Sequence, residues 1–150
     1  MKHQSVHAEV PVPAQTAQLD LVVPFTTPEL TCAALKAAEQ LGAGLHSAIR
    51  LLKVQVVPFP MQQSPVHLGF LKQQLEAFES ALPFHAYILI AREYEPDLMR
   101  ALRPESIVIL ASKRRLWRTR QESLAATLRR AGHRVVLIHT TAEKEHITNA

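Results

Sequence analysis

The sequence predicts an α/β fold: a Rossmann-like, five-stranded parallel sheet in the order 3-2-1-4-5, with helices on both faces. Two observations support this prediction. First, short and nearly continuous apolar segments alternate with helical patterns, in the order βαβαβαβαβ. Strands that are apolar on both faces are typical of parallel sheets, because helices cover both sides. Second, residues 106–140 contain a complete strand–loop–helix–strand unit, SIVILASKRRLWRTRQESLAATLRRAGHRVVLIHT. Such crossovers join parallel neighbours and are almost always right-handed.

The first strand and the first helix are predicted within residues 19–42. LDLVVPF (Leu19–Phe25) is almost wholly apolar, which indicates a strand buried on both faces. Thr26 and Glu29 have the spacing of a capping box, and Pro28 suits a first helical turn. One helical face then carries four apolar residues before two glycines end the helix: Leu30, Ala34, Ala37 and Leu41, followed by Gly42 and Gly44.

The middle of the chain adds two predicted strands and two predicted helices. The second strand spans Ala48–Pro58 and leads into a proline-rich turn. Residues 64–82 show the clearest helical period, with apolar side chains at Leu68, Leu71, Leu75, Phe78 and Leu82. Ala86–Ala91 is predicted as the third strand, and Pro96–Leu102 as a short helix that ends before a proline.

The last unit contains the fourth strand, a basic loop, the last helix and the fifth strand. Ile107–Ala111 and Arg134–Thr140 are the two predicted strands. Thr119 and Glu122 form a capping-box pattern at the start of the helix between them. Its apolar face and its end are predicted at Leu124, Leu128, Ala131 and Gly132. The domain is therefore expected to span residues 19–140, between a flexible polar tail at residues 1–18 and a second polar tail at residues 141–150.

Composition narrows the class of protein. Hydrophobic residues make up 47% of the 150 residues and charged residues 20%, which is typical of a globular domain and argues against intrinsic disorder. No apolar run approaches the roughly 18 residues of a transmembrane helix, and residues 1–18 lack the apolar core of a signal peptide. We expect a cytoplasmic protein with no membrane partner. The single cysteine, Cys32, cannot form an intrachain disulfide and is predicted to be a buried thiol.

Positive charge is concentrated in residues 97–134. This segment holds ten Lys and Arg but three Asp and Glu, whereas the whole chain has a net charge of +4. A localised positive field favours anionic partners such as phosphates. Five of the cations lie between the fourth strand and the last helix, beside a helix N-terminus whose free amides and dipole also attract anions.

We therefore predict an anion site where this loop crosses the carboxyl edge of the sheet, at the point where the strand order reverses. The predicted contacts to a phosphate-containing ligand are Thr26, Ser112, Lys113, Arg114, Arg115, Arg118 and Arg120. Arginine is suited to bidentate phosphate contacts. A solvated basic surface explains the same loop equally well. For Thr26 and Thr27, helix capping is an equally good explanation and the preferred one.

Other candidate residues indicate no catalytic chemistry. Trp117 could stack on a base, but a lone Trp in a loop more often packs on its own domain, which is the interpretation preferred here. The eight histidines form no ligand cluster, so neither a metal nor another cofactor is predicted. The sequence contains no recognisable Ser-His-Asp grouping, carboxylate pair or reactive cysteine setting. The protein is therefore predicted not to be an enzyme.

The order of elements between residues 19 and 140 resembles the universal stress protein (UspA) family. Members typically begin with a strand ending V-P-x-D-G-S-x-E, and this chain has VPFTTPE at residues 23–29. Their second strand often ends in V-V-x-P, which VVP at residues 56–58 matches loosely. Strands of the L-I-V-M-G-S and P-V-L-V-V kinds correspond to residues 107–112 and 135–138. The resemblance implies the Rossmann-like fold of that family and a stress-linked regulatory or binding role, often as a dimer.

The ATP-binding motif of that family, G-x2-G-x9-G-[ST], is replaced in this chain. Glycine at these positions lets backbone amides approach phosphate closely. The three positions correspond to Ala111, Arg114 and Glu122, the last with spacing two residues short. The acidic residue that follows the first strand in the family is also missing, and Thr26 is the nearest residue. The resemblance therefore implies a non-catalytic regulatory or binding module that does not bind ATP in the usual mode.

Three further expectations concern partners. The alternative function is a nucleotide- or phosphate-binding protein in which arginines replace the glycine loop. Weak nucleic-acid binding by the same basic surface is a third and less favoured possibility. The apolar fifth strand, Arg134–Thr140, is expected at a sheet edge, where pairing with a second copy would cover it. A homodimer is therefore predicted.

Overall fold

The computed structural model describes residues 18–57, 68–77 and 84–141. Strands and helices alternate strictly along these residues: β1 (Leu19–Pro24), α1 (Pro28–Gly42), β2 (Ser47–Val56), α2 (Leu68–Glu76), β3 (Phe84–Ala91), α3 (Tyr94–Ala101), β4 (Ile107–Lys113), α4 (Arg120–Arg130) and β5 (Arg134–Thr140). Nearly all of both predicted tails, and the proline-rich turn after β2, lie outside the described residues.

The five strands form one parallel sheet in the order β3-β2-β1-β4-β5. This confirms the predicted fold class and strand order. β1 lies in the centre, with Leu21 aligned to Ile49 of β2 and to Ile107 of β4. Leu21, Val22 and Val23 are at most 1% exposed, because helices cover both sides of the central strand.

The core consists of two hydrophobic clusters, one on each face of the sheet. Helices α1 and α2 cover the first face, whose fully buried side chains include Leu21, Val23, Leu35, Ile49, Leu51, Leu75 and Ile109. Helices α3 and α4 cover the second face, where the buried set includes Val22, Leu98, Val108, Leu110, Leu124, Ala125 and Leu128. Alternate residues of each strand therefore contribute to opposite clusters, as the pleat of a strand requires.

Helix α1 begins one residue later than the predicted capping box implied. Its N-cap is Thr27, whose Oγ1 accepts a hydrogen bond from the Leu30 backbone N–H at 3.3 Å. The Thr26 N–H instead donates to Thr31 Oγ1 at 3.1 Å. Of the two predicted caps, Thr27 is therefore confirmed and Thr26 was wrong, because the backbone of Thr27 has the extended conformation that a cap requires. Pro28 occupies the first turn as predicted.

The buried stripe of α1 is rotated from the predicted one. It runs through Leu30, Thr31, Ala34, Leu35 and Ala38. The predicted member Leu41 is 39% exposed, since it lies on the margin of this stripe. Cys32 is half-buried and not fully buried as predicted, because it lies on the far flank of the helix. Gly42 ends the helix and Gly44 takes the left-handed conformation, with φ 73°.

The remaining elements agree with the predicted pattern except at their ends. Helix α2 lies within the predicted range of residues 64–82, of which residues 64–67 and 78–82 are outside the described part. Helix α3 begins at Tyr94 and β4 continues to Lys113, which pairs with Thr140. Ala131 is exposed and not inward-facing as predicted, because α4 has already ended.

A partly buried polar network ties β1 and β2 to the residue that precedes β4, at the amino edge of the sheet. The Asp20 carboxylate of β1 accepts two hydrogen bonds from the Arg50 guanidinium of β2, at 2.9 and 2.7 Å. Ser106, just before β4, donates from its Oγ to Asp20 Oδ2 at 2.6 Å. The side chains of Asp20 and Arg50 are 16% and 19% exposed, and Ser106 is fully buried. The charges are mutually satisfied, as buried ion pairs must be.

Candidate functional site

A cleft of about 670 Å³ opens at the carboxyl edge of the sheet. It lies where β1 and β2 end and where α3 and α4 begin. Its lining residues are Phe25, Thr26, Thr27, Lys53, Val54, Tyr94, Glu95, Arg118, Thr119, Arg120, Gln121, Ser123 and Leu124. The carboxyl edge beside the central strand is where open α/β sheets bind ligands, because diverging connections leave a crevice there. The volume falls within the range of small-molecule sites.

The register of β1 and β2 forms one wall of this cleft. The last pair between the two strands is Pro24 with Leu52, and the Phe25 N–H then donates to the Leu52 carbonyl at 2.8 Å. β2 continues to Val56 beyond the end of β1. Lys53 and Val54 therefore lie beyond the end of β1, where both residues line the cleft.

The cleft has a surplus of positive charge. Its lining includes Lys53, Arg118 and Arg120 against a single carboxylate, Glu95. The Lys53 ammonium lies 4.4 Å from the centre of the Phe25 ring, a cation–π contact. Among the described residues, no carboxylate lies within ion-pair distance of Lys53. Burial lowers the pKa of the Lys53 amine, because the charged form is less well solvated there.

The N-terminus of α4 forms the opposite wall, and its capping box is present as predicted. The Thr119 N–H donates to Glu122 Oε2 at 3.1 Å, and the Glu122 N–H donates to Thr119 Oγ1 at 3.2 Å. Within the described part of the chain, the backbone N–H groups of Arg120 and Gln121 have no acceptor. These two amides and the positive end of the helix dipole therefore remain available to an anion.

Tyr94 contributes an apolar ring and a hydroxyl to the third side of the cleft. Its pKa is raised, first because the phenol is largely buried and second because Glu95 is nearby. The hydroxyl therefore stays protonated at neutral pH and can donate a hydrogen bond. With Phe25, Val54 and Leu124, the ring gives the cleft an apolar part beside its cationic part.

The structure brings three of the predicted site residues together and separates the others. Thr26, Arg118 and Arg120 line the cleft. Ser112 is fully buried, and its hydroxyl is 2.5 Å from that of Thr119. Lys113 belongs to β4 and pairs with Glu29 at 3.3 Å. Arg114 and Arg115 are exposed and do not line the cleft.

Trp117 does not pack on its own domain, so that prediction was wrong. The indole is 84% exposed, and the neighbouring Leu116 side chain is 100% exposed. The physical reason lies at the base of the loop, where the hydroxyl contact between Ser112 and Thr119 holds the two ends close together. The residues between them are directed away from the core.

The three positions that the resemblance aligns with the ATP-motif glycines hold residues that take part in the structure of the chain itself. Ala111 is 2% exposed inside β4, and Glu122 completes the capping box. The Arg114 N–H donates to the Thr140 carbonyl at 3.3 Å. The amides of Arg114, Thr119 and Glu122 are therefore engaged with the chain itself. A phosphate in this cleft would have the amides of Arg120 and Gln121 and the cationic side chains as its donors.

Sequence reasoning missed Lys53, Tyr94 and Glu95 as cleft residues. A charged residue within the apolar segment AIRLLKVQVV was a usable signal for Lys53, because strands buried on both faces rarely carry a lysine. Tyr94 and Glu95 gave no signal, since α3 begins earlier than its proline suggested.

Comparisons with known proteins and a search of the described residues add three findings. A scan against protein-family models and a search of curated proteins find no match to this chain. None of the helices in the described part is long and apolar enough to cross a membrane. In residues 18–57, 68–77 and 84–141, no three His, Cys, Asp or Glu side chains are grouped to hold a metal ion. Fold and cleft define the class: a parallel α/β protein with a cationic cleft at the carboxyl edge of its sheet.

Proposed function

We propose that this protein is a non-catalytic binding module that holds a small phosphate-bearing ligand in the carboxyl-edge cleft. The observation that carries the proposal is the convergence of Lys53, Arg118 and Arg120 on one cavity beside the first turn of α4. Three cations confined in one cleft repel one another, and a bound anion relieves that repulsion. The apolar part formed by Tyr94 and its neighbours suits an uncharged portion of the same ligand.

The role that this binding serves is proposed to be regulatory, of the universal stress protein-like kind, in the cytoplasm. The support is the resemblance in element order and the parallel sheet order 3-2-1-4-5. A ligand in such a module would change the surface offered to partners and would not itself react. The alternative is a nucleotide-handling protein that uses the same arginines.

A thermal-shift experiment tests the proposed site. Sulfate, phosphate and polyphosphate are expected to raise the melting temperature more than chloride at matched ionic strength. Replacing Arg118 and Arg120 together by Ala should remove that difference, because both side chains line the cleft. The matched control is the Arg129→Ala, Arg130→Ala variant, which removes two exposed cations from the other end of the same helix. If the Arg118 and Arg120 variant keeps the full phosphate effect, the proposal is wrong.

Calorimetry with ATP and magnesium separates the two functions. In the usual family mode, glycine amides surround the phosphates, and here side chains occupy those positions. We expect no ATP binding tighter than about 100 μM, which corresponds to roughly 5.5 kcal/mol of binding free energy. A low-micromolar constant that is lost in the Arg118 and Arg120 variant would favour the nucleotide-handling alternative.

Self-association through β5 is proposed as the assembly of this module. β5 is an edge strand, and Val136 on it is 37% exposed. An uncovered edge with apolar side chains favours pairing with another strand. Light scattering should give a dimer mass at tens of micromolar protein, by the affinity scale of weak homodimers. Val136→Lys should give a monomer, and an unchanged mass in that variant would contradict pairing at this edge.

A further inference from the structure

The segment between β4 and α4 carries two exposed apolar side chains at its tip. We call residues 114–118 the β4–α4 loop. Leu116 is 100% exposed and Trp117 is 84% exposed. Arginines flank this pair on both sides, at Arg114, Arg115 and Arg118, and all three are exposed. Adjacent exposed apolar residues with a charged rim indicate a contact surface.

The base of this loop is held in place while its tip projects. The Ser112 and Thr119 hydroxyls are 2.5 Å apart, and the Arg114 N–H donates to the Thr140 carbonyl at 3.3 Å. The tip residues Leu116 and Trp117 thus protrude from a braced base. A protruding tip can insert into the surface of a partner. It offers no cavity into which a partner could insert.

Against the expectation of no membrane partner, we propose that the β4–α4 loop binds the surface of an anionic lipid bilayer, with Leu116 and Trp117 inserted at headgroup level. Tryptophan favours the membrane–water interface because its ring is apolar and its N–H is polar. The flanking arginines complement the negative surface potential of anionic lipids. Neither contribution suffices alone, because stable peripheral binding needs an apolar and an electrostatic part together.

Two features favour a bilayer over nucleic acid. Single-stranded nucleic acid is bound by several aromatic rings that stack on successive bases. This loop has one ring, and its most exposed side chain is the aliphatic Leu116, which offers no stacking face.

In the described part of the chain, no carboxylate pairs with Arg114, Arg115 or Arg118, so their charge is available to lipid phosphates.

This inference shares one residue, Arg118, with the proposed cleft ligand and otherwise rests on other side chains. Arg114, Arg115, Leu116 and Trp117 do not line the cleft. Substitutions at these four positions therefore test the lipid contact while the cleft residues Lys53, Arg118 and Arg120 stay in place. Phosphate-dependent thermal stabilisation should survive in those variants, which keeps failure of one proposal distinguishable from failure of the other.

The single tryptophan of the chain makes the experiment direct, because all indole emission comes from Trp117. The full chain is titrated with vesicles of phosphatidylserine and phosphatidylcholine, and with vesicles of phosphatidylcholine alone. We expect a blue shift of the emission and quenching by brominated acyl chains with the anionic vesicles only. Added salt should reverse the binding, since much of the attraction is screened.

Matched variants separate charge from insertion, with vesicle sedimentation as the readout. Arg114→Ala with Arg115→Ala should lower the partition coefficient about 30-fold, on the usual contribution of a cation near an anionic surface. Arg129→Ala with Arg130→Ala removes the same charge elsewhere and should lower it far less. Leu116→Ala should weaken binding about fivefold, whereas Leu45→Ala, at a position 58% exposed, should leave it unchanged.

Several results would overturn the proposal. One is an absent blue shift with anionic vesicles. Another is an equal shift with phosphatidylcholine alone. A third is an equal loss of vesicle binding in the Arg129 and Arg130 variant and in the Arg114 and Arg115 variant. That result would show a general charge effect and no contact by the loop. Quenching of Trp117 by a single-stranded oligonucleotide, without any response to vesicles, would assign the loop to nucleic acid.

Discussion

Replacing Arg50 by Met removes the cationic partner of Asp20 while keeping most of the side-chain volume. In the folded protein, the Asp20 carboxylate would then keep only the Ser106 hydroxyl as a hydrogen-bond donor of the network, at 2.6 Å. The carboxylate is 16% exposed, so water can replace the guanidinium only in part. An under-solvated charge at the amino edge of the sheet destabilises the fold.

The magnitude follows from the geometry. Removing one partner of a fully buried ion pair costs roughly 3–5 kcal/mol. Because Asp20 and Arg50 keep 16% and 19% of their side-chain surface exposed, we expect a smaller loss of about 2.5 kcal/mol. For a chain of this size, that loss lowers the melting temperature by roughly 5–10 °C.

The pH dependence gives the prediction a second and independent signature. Burial raises the pKa of Asp20, but hydrogen bonds from Arg50 and Ser106 and the charges of Arg50 and Arg103 outweigh burial, so the pKa is lowered. As pH falls, Asp20 in the unfolded chain binds a proton near pH 4, at a higher pH than Asp20 in the native protein. This contribution to stability is therefore complete above that pH and is lost as pH falls through the native pKa.

Urea unfolding at several pH values measures both signatures. The free-energy difference between wild type and Arg50→Met should be largest near neutral pH and should shrink below about pH 4. Arg100→Met is the matched control, since that guanidinium is 78% exposed beside Asp97, and it should cost less than about 0.5 kcal/mol. A similarly small cost for Arg50→Met, or a difference that does not change with acid, would refute the reasoning.

Two other substitutions test the local geometry of α4. Thr119→Ala should lower the free energy of unfolding by about 1–2 kcal/mol, because it removes the cap for the Glu122 N–H and leaves the buried Ser112 hydroxyl without this partner; urea unfolding measures the loss, and Thr119→Ser should restore most of it. Gly132→Ala should cost about 1 kcal/mol, because φ is 92° and no atom lies near the added Cβ. In the same assay Gly69→Ala, inside α2 and equally uncrowded, should be neutral or stabilising, and equal effects at both glycines would contradict the backbone argument.

The arrangement of strands and helices was accessible from the sequence because its signals are local. A nearly continuous apolar run such as Leu19–Phe25 has to be covered on both faces, and only flanking helices do that. Caps and stops are local as well. The Thr119 and Glu122 capping box was predicted from spacing and is present, and the predicted end of the helix at Gly132 is also found, with Gly132 at φ 92°.

The wrong predictions depended on features that local sequence does not contain. These are the backbone conformation of a single residue and the rotation of a helix over the sheet. Spacing alone located a helix after β1 but not its N-cap, since Thr26 and Thr27 suit that role equally and only backbone conformation distinguishes them. The same holds for Leu41, whose exposure depends on how α1 is rotated over the sheet.

The sequence by itself determined the order of elements and the presence of a basic segment near the carboxyl edge of the sheet. Only the tertiary structure decided which cations share a cavity. Lys53 reaches the cleft because β2 continues past the end of β1. That offset is set by the register between two strands, which the sequence of either strand alone does not show. Trp117 is in water at the tip of a loop whose base is closed by the contact between the Ser112 and Thr119 hydroxyls. Both outcomes depend on contacts between residues distant in sequence or on closure of a loop, and no local pattern of residue types contains that information.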